Sequence, residues 1–194
     1  MILASASPRR RELLALICPE FEIVPSEFDE THLSADLPPE EYVTASASRK
    51  ACAVARDAEN AIVIGADTIV VVGDEILGKP SDDEDARRML RAIGGRTHQV
   101  CTGVSVISTR NGSQTEKTGF ECTDVTVRPL SAEIIDRYVA TGEPLDKAGA
   151  YAIQGKGAVL IERINGCYFN VVGLPVYLVS RLLEEFGVEA LGCK

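Results

Sequence analysis

The chain is predicted to fold as an α/β protein with a mixed, twisted sheet and flanking helices. Three observations predict this. Short apolar, β-branched runs alternate along the chain with segments of helical period. Several strand-like runs meet at tight turns, Gly73-Asp74, Asn111-Gly112 and Asn165-Gly166, and such hairpins argue against a purely parallel sheet. The composition is that of an ordinary globular protein, 45% hydrophobic and 25% charged over 194 residues. That length suits one domain over residues 1–194, or one domain with two lobes, and can bury a core.

The elements follow in order. Ile2 to Ala4 is a short apolar strand. Ser7 can cap a helix with Pro8 at its first position, and Leu13, Leu14 and Ile17 form its apolar stripe. Pro38-Pro39-Glu40-Glu41 opens a second helix running to about Arg56. Ala61 to Val72 is nearly all apolar, as expected of a buried central strand, and Gly73-Asp74 turns it back into Glu75 to Gly78. Ser81-Asp82-Asp83-Glu84 reads as a capping box for a third helix, with Ala86, Met89, Leu90 and Ile93 inward and Gly94 at its end. Val100 to Ile107 and Phe120 to Val127 pair about Asn111-Gly112. Ser131 starts a fourth helix ending near Gly142. Ala158 to Ile164 and Cys167 to Val172 are expected to form a further hairpin. Pro175 opens the last helix, with Val176, Val179, Leu182, Leu183 and Phe186 inward.

Charge and cysteine usage narrow the partners. The formal net charge of −9 argues against non-specific binding to nucleic acid or an anionic membrane, since both need a surplus of Lys and Arg. No apolar run approaches the roughly 20 residues needed to span a bilayer. The basic residues Arg9 to Arg11 follow the apolar start instead of preceding it, so no secretory signal is expected and the expected location is the cytoplasm. The six cysteines are scattered with no C-x-x-C pair, so reduced, mostly buried thiols are expected.

Six features carry chemistry. Ser5-Ala6-Ser7-Pro8-Arg9-Arg10-Arg11 sits at a strand-to-helix turn. Cations in a helix's first turn oppose the dipole, so three arginines there make sense if an anion sits among them; the alternative is a solvated basic helix start or ion pairs with nearby acids. Gly65-Ala66-Asp67-Thr68 places a carboxylate inside an apolar strand, which costs several kcal/mol unless it is paired, hydrogen-bonded or metal-bound. Asp67 falls on one face of that strand and Thr68 on the other. A two-residue turn at Gly73-Asp74 would put Lys79 of Gly78-Lys79-Pro80 across from Thr68, to hold a phosphate or to make an ion pair. On the second helix Lys50 falls on the stripe of Val43, Ala47, Ala51 and Val54, pointing inward, although a lysine snorkelling to solvent is the commoner case.

Phe28-Asp29-Glu30-Thr31-His32 could bind a hard cation, although acidic loops are common. His98 reads as a satisfied structural histidine. In Asp146 to Gly157, three glycines permit close backbone approach to a ligand, and Gln154 offers donor and acceptor together, suited to a base edge; the alternative is a turn-rich connector. An anion-binding turn, a buried acid, lysines and a base-reading loop together suit phosphoryl chemistry on a nucleotide.

The chain resembles the Maf family of nucleoside triphosphate pyrophosphatases almost end to end. The resemblance rests on Leu3-Ala4-Ser5-Ala6-Ser7-Pro8-Arg9-Arg10, Gly65-Ala66-Asp67-Thr68, Gly78-Lys79-Pro80, His98-Gln99-Val100-Cys101-Thr102-Gly103, Asp146 to Tyr151, Ile153-Gln154-Gly155 and Asn170 to Pro175. It implies a fold like the inosine triphosphate pyrophosphatases, with two lobes around a cleft, often as a homodimer. It implies cleavage between the α and β phosphates; a divalent cation, Mg²⁺ or Mn²⁺, is expected to be held or oriented by Asp67 and Glu30. Asp67 matches the family's proton acceptor, and Ser5, Arg9, Arg10, Glu30, Lys50, Lys79 and Gln154 match its other active-site positions. Arg9, Thr68 and Gln154 match positions linked to base choice, and Ile153-Gln154-Gly155 looks like the branch acting on dTTP and UTP, with modified pyrimidine triphosphates as further candidates. The sister branch, which prefers 7-methyl-GTP, carries Ser-Glu-Gly there. Ala45-Ser46-Ala47 departs from the family's usual Arg-Leu-Ala before the helix lysine. The rival expectation is a nucleotide-binding regulator of septum formation or cell division that does not turn its ligand over; a pure binder would not need Asp67.

Overall fold

A computed structural model describes residues 1–29, 33, 34 and 37–190. The elements are β1 (Ile2–Leu3), α1 (Pro8–Ala15), β2 (Glu22–Ile23), α2 (Pro39–Ala55), β3 (Ile62–Val72), β4 (Glu75–Leu77), α3 (Asp83–Ile93), β5 (Thr97–Ser108), β6 (Thr115–Val127), α4 (Ala132–Val139), β7 (Ile161–Asn165), α5 (Tyr168–Val172) and α6 (Val176–Glu184). The seven strands form one sheet in the order β2-β1-β3-β5-β6-β7, with β4 pairing β3. β1 pairs parallel with β2 and β3, whereas β3–β4 and β6–β7 are antiparallel, so the sheet is mixed as expected. No described helix is long and apolar enough to cross a membrane.

The chain divides into two compact units. The first comprises Met1–Asp67, Thr102–Glu121 and Gly173–Lys194. In it Ser7 caps α1, its Oγ accepting from the Arg10 N–H, and Pro8 occupies the first turn. Ala4, Ala51, Val54, Ala55, Val63 and Ile107 form a buried cluster. The small residues let α2 lie directly against backbone. A Cβ on Gly65 would stand 2.4 Å from the Ala47 carbonyl oxygen, and one on Gly103 would stand 2.2 Å from that of Val43. α2 therefore touches β3 and β5 at these two glycines.

The second unit comprises Thr68–Cys101 and Cys122–Val172. The amphipathic helices α3 and α4 bury Ala86, Met89, Leu90, Ile93, Ile135, Tyr138 and Val139 with Val70, Leu77, Val100, Val125, Val127 and Leu160. The third helix buries the four residues that its periodicity predicted. Its cap lies one residue beyond the predicted box: Asp82 Oδ1 accepts from the Asp85 N–H at 2.8 Å, and Asp85 Oδ2 accepts from the Ser81 N–H at 3.1 Å. Ser131 caps α4, with its Oγ accepting from the Ile134 N–H.

Two expectations are corrected. The segment expected as a strand over Cys167 to Val172 contains the short helix α5, and residues 155–160 before β7 are 3-10 helical. β7 pairs instead with β6, Asp124 opposite Asn165. The helical turn buries Asn170, whose Nδ2 donates to the Val100 carbonyl at 2.8 Å and to Thr123 Oγ1 at 2.9 Å. Those bonds outweigh the β-propensity of Tyr168-Phe169-Asn170-Val171-Val172. The second correction concerns the cysteines. Cys101 and Cys122, 21 residues apart, form a disulfide, while Cys18, Cys52 and Cys167 are not disulfide-bonded. Cross-strand partners Thr97 and Thr126, Gln99 and Asp124, Cys101 and Cys122 step in opposite directions along β5 and β6, so antiparallel register brings the sulfurs together.

Candidate active site

The site residues expected from the sequence fall into two groups, one in each unit, which adjoin along the chain at Asp67-Thr68. In the first unit, Asp67 is 5% exposed within β3. A buried carboxylate needs a counter-charge, and Lys50 supplies it: Nζ stands 2.6 Å from Asp67 Oδ1, with side-chain exposures of 12% and 7%. Lys50 thus points inward from α2 instead of snorkelling. Removing either partner leaves a buried charge, at a cost of about 3–5 kcal/mol. Asp67 Oδ2 is buried and has no hydrogen-bond partner among the described residues.

Arg10 reaches the same strand from the first turn of α1. Its Nη1 donates to the Ala66 carbonyl at 2.8 Å and to Ser5 Oγ at 3.4 Å, and its Nε donates to the Gly173 carbonyl at 2.9 Å. Two carbonyl oxygens thereby meet one of the three clustered arginine charges, and Arg10 ties the start of α1 to the strand bearing Asp67. Ser5 Oγ also accepts from the Ser7 N–H at 3.2 Å. Arg9 is half-buried on the same turn. Glu30 and His32 lie outside the described residues.

The described residues meet one requirement of a divalent cation. Asp67 presents a buried oxygen that no group of the described residues satisfies. No cluster of three His, Cys, Asp or Glu able to hold a metal occurs among the described residues. This donor set fits a Mg²⁺-like ion held by one or two carboxylates plus phosphate oxygens and water, and does not form an all-protein cage.

In the second unit, Thr68 is the half-exposed residue in the middle of β3. The β3–β4 ladder pairs Val70 with Leu77, Val71 with Ile76 and Val72 with Glu75. Continued past its last pair, that register puts exposed Lys79 opposite Thr68, as the two-residue turn implies. Gly78 is tied to the later loop, its carbonyl accepting from the Gly149 N–H at 2.9 Å. Lys79 and the segment leading to Gln154 are thus stitched together. The glycines of that loop serve internal packing: a Cβ on Gly149 would stand 2.9 Å from Val70, one on Gly155 2.7 Å from Glu143 and one on Gly157 2.3 Å from the Ala152 oxygen. Gln154 is half-buried and extended, φ −89° and ψ 166°.

Glu143 and Tyr138 went unread in the sequence. Glu143 Oε1 accepts from the Gly157 N–H at 2.8 Å and from the Tyr138 hydroxyl at 2.9 Å, and Oε2 accepts from the Lys156 N–H at 2.9 Å. Burial pushes the Glu143 carboxyl up, but these three donors outweigh it and hold the group below its ordinary 4.5. Burial and the neighbouring carboxylate push the Tyr138 hydroxyl up, so it stays a donor. The available signal was Thr141-Gly142-Glu143-Pro144, a turn with an acid directly after its left-handed glycine (Gly142 φ 72°).

A family model described as "Maf-like protein" matches residues 1–186. A protein of Moorella thermoacetica named "dTTP/UTP pyrophosphatase" is 52% identical over 192 residues, 99% of this chain and 97% of that protein. One of the same name from Bacillus mycoides is 50% identical over 186 residues, 96% and 95% of the two chains. Among solved structures, the Staphylococcus aureus Ham1 protein aligns with a TM-score of 0.46 at 17% identity, over 82% of this chain and 78% of that one.

Proposed function

We infer the function from one premise: the chain belongs to the Maf family. It hydrolyses a nucleoside triphosphate to the monophosphate and pyrophosphate, with dTTP and UTP as substrates. Relatives about half identical over nearly their whole length carry the name of that activity. The rival reading, a nucleotide-binding regulator without turnover, is not favoured by relatives named for an enzyme. A cytoplasmic setting fits such a substrate.

The observation that carries the chemistry is the Lys50–Asp67 pair. Lys50 holds one carboxylate oxygen at 2.6 Å, and the other, Oδ2, has no hydrogen-bond partner among the described residues. Oδ2 accepts a proton from a water as that water attacks the α-phosphorus, and pyrophosphate leaves. Asp67, with Glu30, would hold the divalent cation, Mg²⁺ or Mn²⁺. When bound, such an ion neutralises phosphate charge and acidifies water. Lys50, Lys79 and Arg9 offset the triphosphate's charge. Arg10 keeps Ser5 and the Asp67 strand in place and adds its positive charge beside them. Thr68 and Gln154 read the pyrimidine, the amide offering a donor and an acceptor to its edge.

The test is product identification from a panel of nucleoside triphosphates with Mg²⁺ or Mn²⁺. Monophosphate and pyrophosphate from dTTP and UTP are expected. Diphosphate and orthophosphate would place the cleavage elsewhere, and binding without product would restore the regulator reading. Asp67→Asn should lower kcat by about a hundredfold or more, the range for a general base, with an unchanged circular dichroism spectrum.

A further inference from the structure

We propose that Glu143 and Tyr138 are positioning residues for base selection, holding the segment that carries Gln154 in one conformation. The proposal deepens the function proposed above and rests on its reading of Gln154. Two anchors bracket that residue. On the N-terminal side, the Ala152 N–H donates to the Tyr138 hydroxyl oxygen at 3.2 Å. On the C-terminal side, the Lys156 and Gly157 N–H groups donate to the two oxygens of Glu143 at 2.9 and 2.8 Å. The Tyr138 hydroxyl donates in turn to Glu143 at 2.9 Å, joining the anchors into one clamp from two residues before Gln154 to three residues after it.

The clamp is itself held. Tyr138 is 5% exposed in the last turn of α4. Thr141 Oγ1 donates to the Tyr138 carbonyl at 2.7 Å and accepts from the Glu143 N–H at 3.2 Å, which fixes the turn between the two residues. The loop's glycines are cut to fit: with φ 68°, Gly155 passes where a Cβ would lie 2.7 Å from Glu143 Oε2, and a Cβ on Gly157 would lie 2.6 Å from the Tyr138 hydroxyl. The chemistry calls for an ionised carboxylate. Three donors converge on two oxygens, and only an acceptor-only group satisfies them all. A glutamine keeps the Gly157 and Tyr138 bonds but turns an NH₂ toward the Lys156 N–H. The clamped segment has Gly155 and Lys156 exposed, and Ala152, Ile153 and Gln154 half-buried. Its hydrogen bonds therefore order a loop more than they stabilise a core.

The test is steady-state kinetics on dTTP, UTP and GTP for the wild type, Glu143→Ala, Glu143→Gln, Tyr138→Phe, Gln154→Ala and the double variant Glu143→Ala/Gln154→Ala. In Glu143→Ala the KM for dTTP should rise about tenfold while kcat stays within about threefold, the split expected when binding geometry is lost and chemistry is not. Glu143→Gln and Tyr138→Phe should show part of that rise. Preference for pyrimidine over GTP should narrow toward that of Gln154→Ala. In the double variant the effect of Glu143→Ala should vanish, because a residue acting through Gln154 has nothing left to position. An unchanged KM and preference in folded Glu143→Gln and Tyr138→Phe would overturn the proposal, as would full additivity in the double variant. If Gln154→Ala alone keeps the base preference, the reading beneath the proposal fails first. If Glu143→Ala does not fold, Tyr138→Phe decides the question.

Discussion

His98 is 3% exposed, and its two ring nitrogens are treated unequally. Nε2 lies 2.8 Å from the Tyr151 hydroxyl, with the rings edge to face at 5.2 Å, whereas Nδ1 has no hydrogen-bond partner among the described residues. The expectation of a satisfied histidine thus holds for one nitrogen. Burial disfavours the imidazolium and lowers the pKa from 6.5 to about 4. Above pH 6.5 folded and unfolded chains both carry a neutral ring. Between 6.5 and about 4 only the unfolded chain takes up the proton, so stability falls with pH through that window, by about 3 kcal/mol in all. Urea midpoints from pH 7 to pH 4 should therefore drop more steeply in the wild type than in His98→Gln, and equal slopes would refute the assignment. Legibility at this scale follows the chemistry. Asp67 stands out because an acid in an apolar strand needs a reason. Glu143 does not, because an acid in a Gly-Pro turn looks solvated and two of its donors are backbone amides that no side chain advertises. Tyr151 lies 53 residues from His98, so no local pattern joins them.

The Lys50–Asp67 pair depends on how close α2 sits to β3, and that distance is set by a glycine. A Cβ on Gly65 would meet the Ala47 oxygen at 2.4 Å and the Ala51 nitrogen at 2.8 Å, both backbone atoms that cannot swing aside. Lys50 lies between those two helix residues, and Asp67 lies two residues beyond the glycine. Gly65→Ala should push helix and strand apart, destabilise the fold by about 1–3 kcal/mol, and depress turnover by stretching the pair. Gly78→Ala is the control, since a Cβ there meets nothing within 4 Å. Thermal unfolding of both variants checks this, and equal melting temperatures would sink the packing argument. Elements with a strong period were readable: α3 and α6 bury the residues their stripes indicate, although Phe186 lies beyond the end of α6 and is half-buried. The two-residue β2 was too short to leave a pattern. α5 was misread as strand because β-branched and aromatic residues fill a turn whose geometry is dictated by Asn170, a tertiary demand invisible to propensity. The Cys101–Cys122 pairing needed the register of β5 on β6, which cysteine spacing alone does not supply.

At the scale of the whole molecule, charge is distributed against the substrate it is proposed to take. Asp and Glu outnumber Lys and Arg by 29 to 20. Many surface arginines are also engaged: Arg87 with Asp136, Arg88 with Glu75 and Asp85, Arg91 with Glu84, Arg137 with Glu133. Such exposed pairs are each worth about 0–1 kcal/mol, but they cancel positive potential at a distance. A nucleoside triphosphate therefore meets net repulsion far from the protein and attraction only near the buried lysine and the arginine turn. Salt screens the two differently. Raising ionic strength from about 0.01 M to 0.1 M shortens the Debye length from about 30 Å to about 10 Å, which weakens the far field more than contacts of a few ångströms. The kcat/KM for dTTP should accordingly rise, by about twofold, over that range of KCl at fixed free metal ion, and fall only at higher salt as the near contacts weaken. A protein that draws nucleotides through a basic surface would show the opposite, a fall from the lowest salt onward. That result would mean that the local cations dominate the approach of the substrate, and that the acidic balance of the chain plays no part in it.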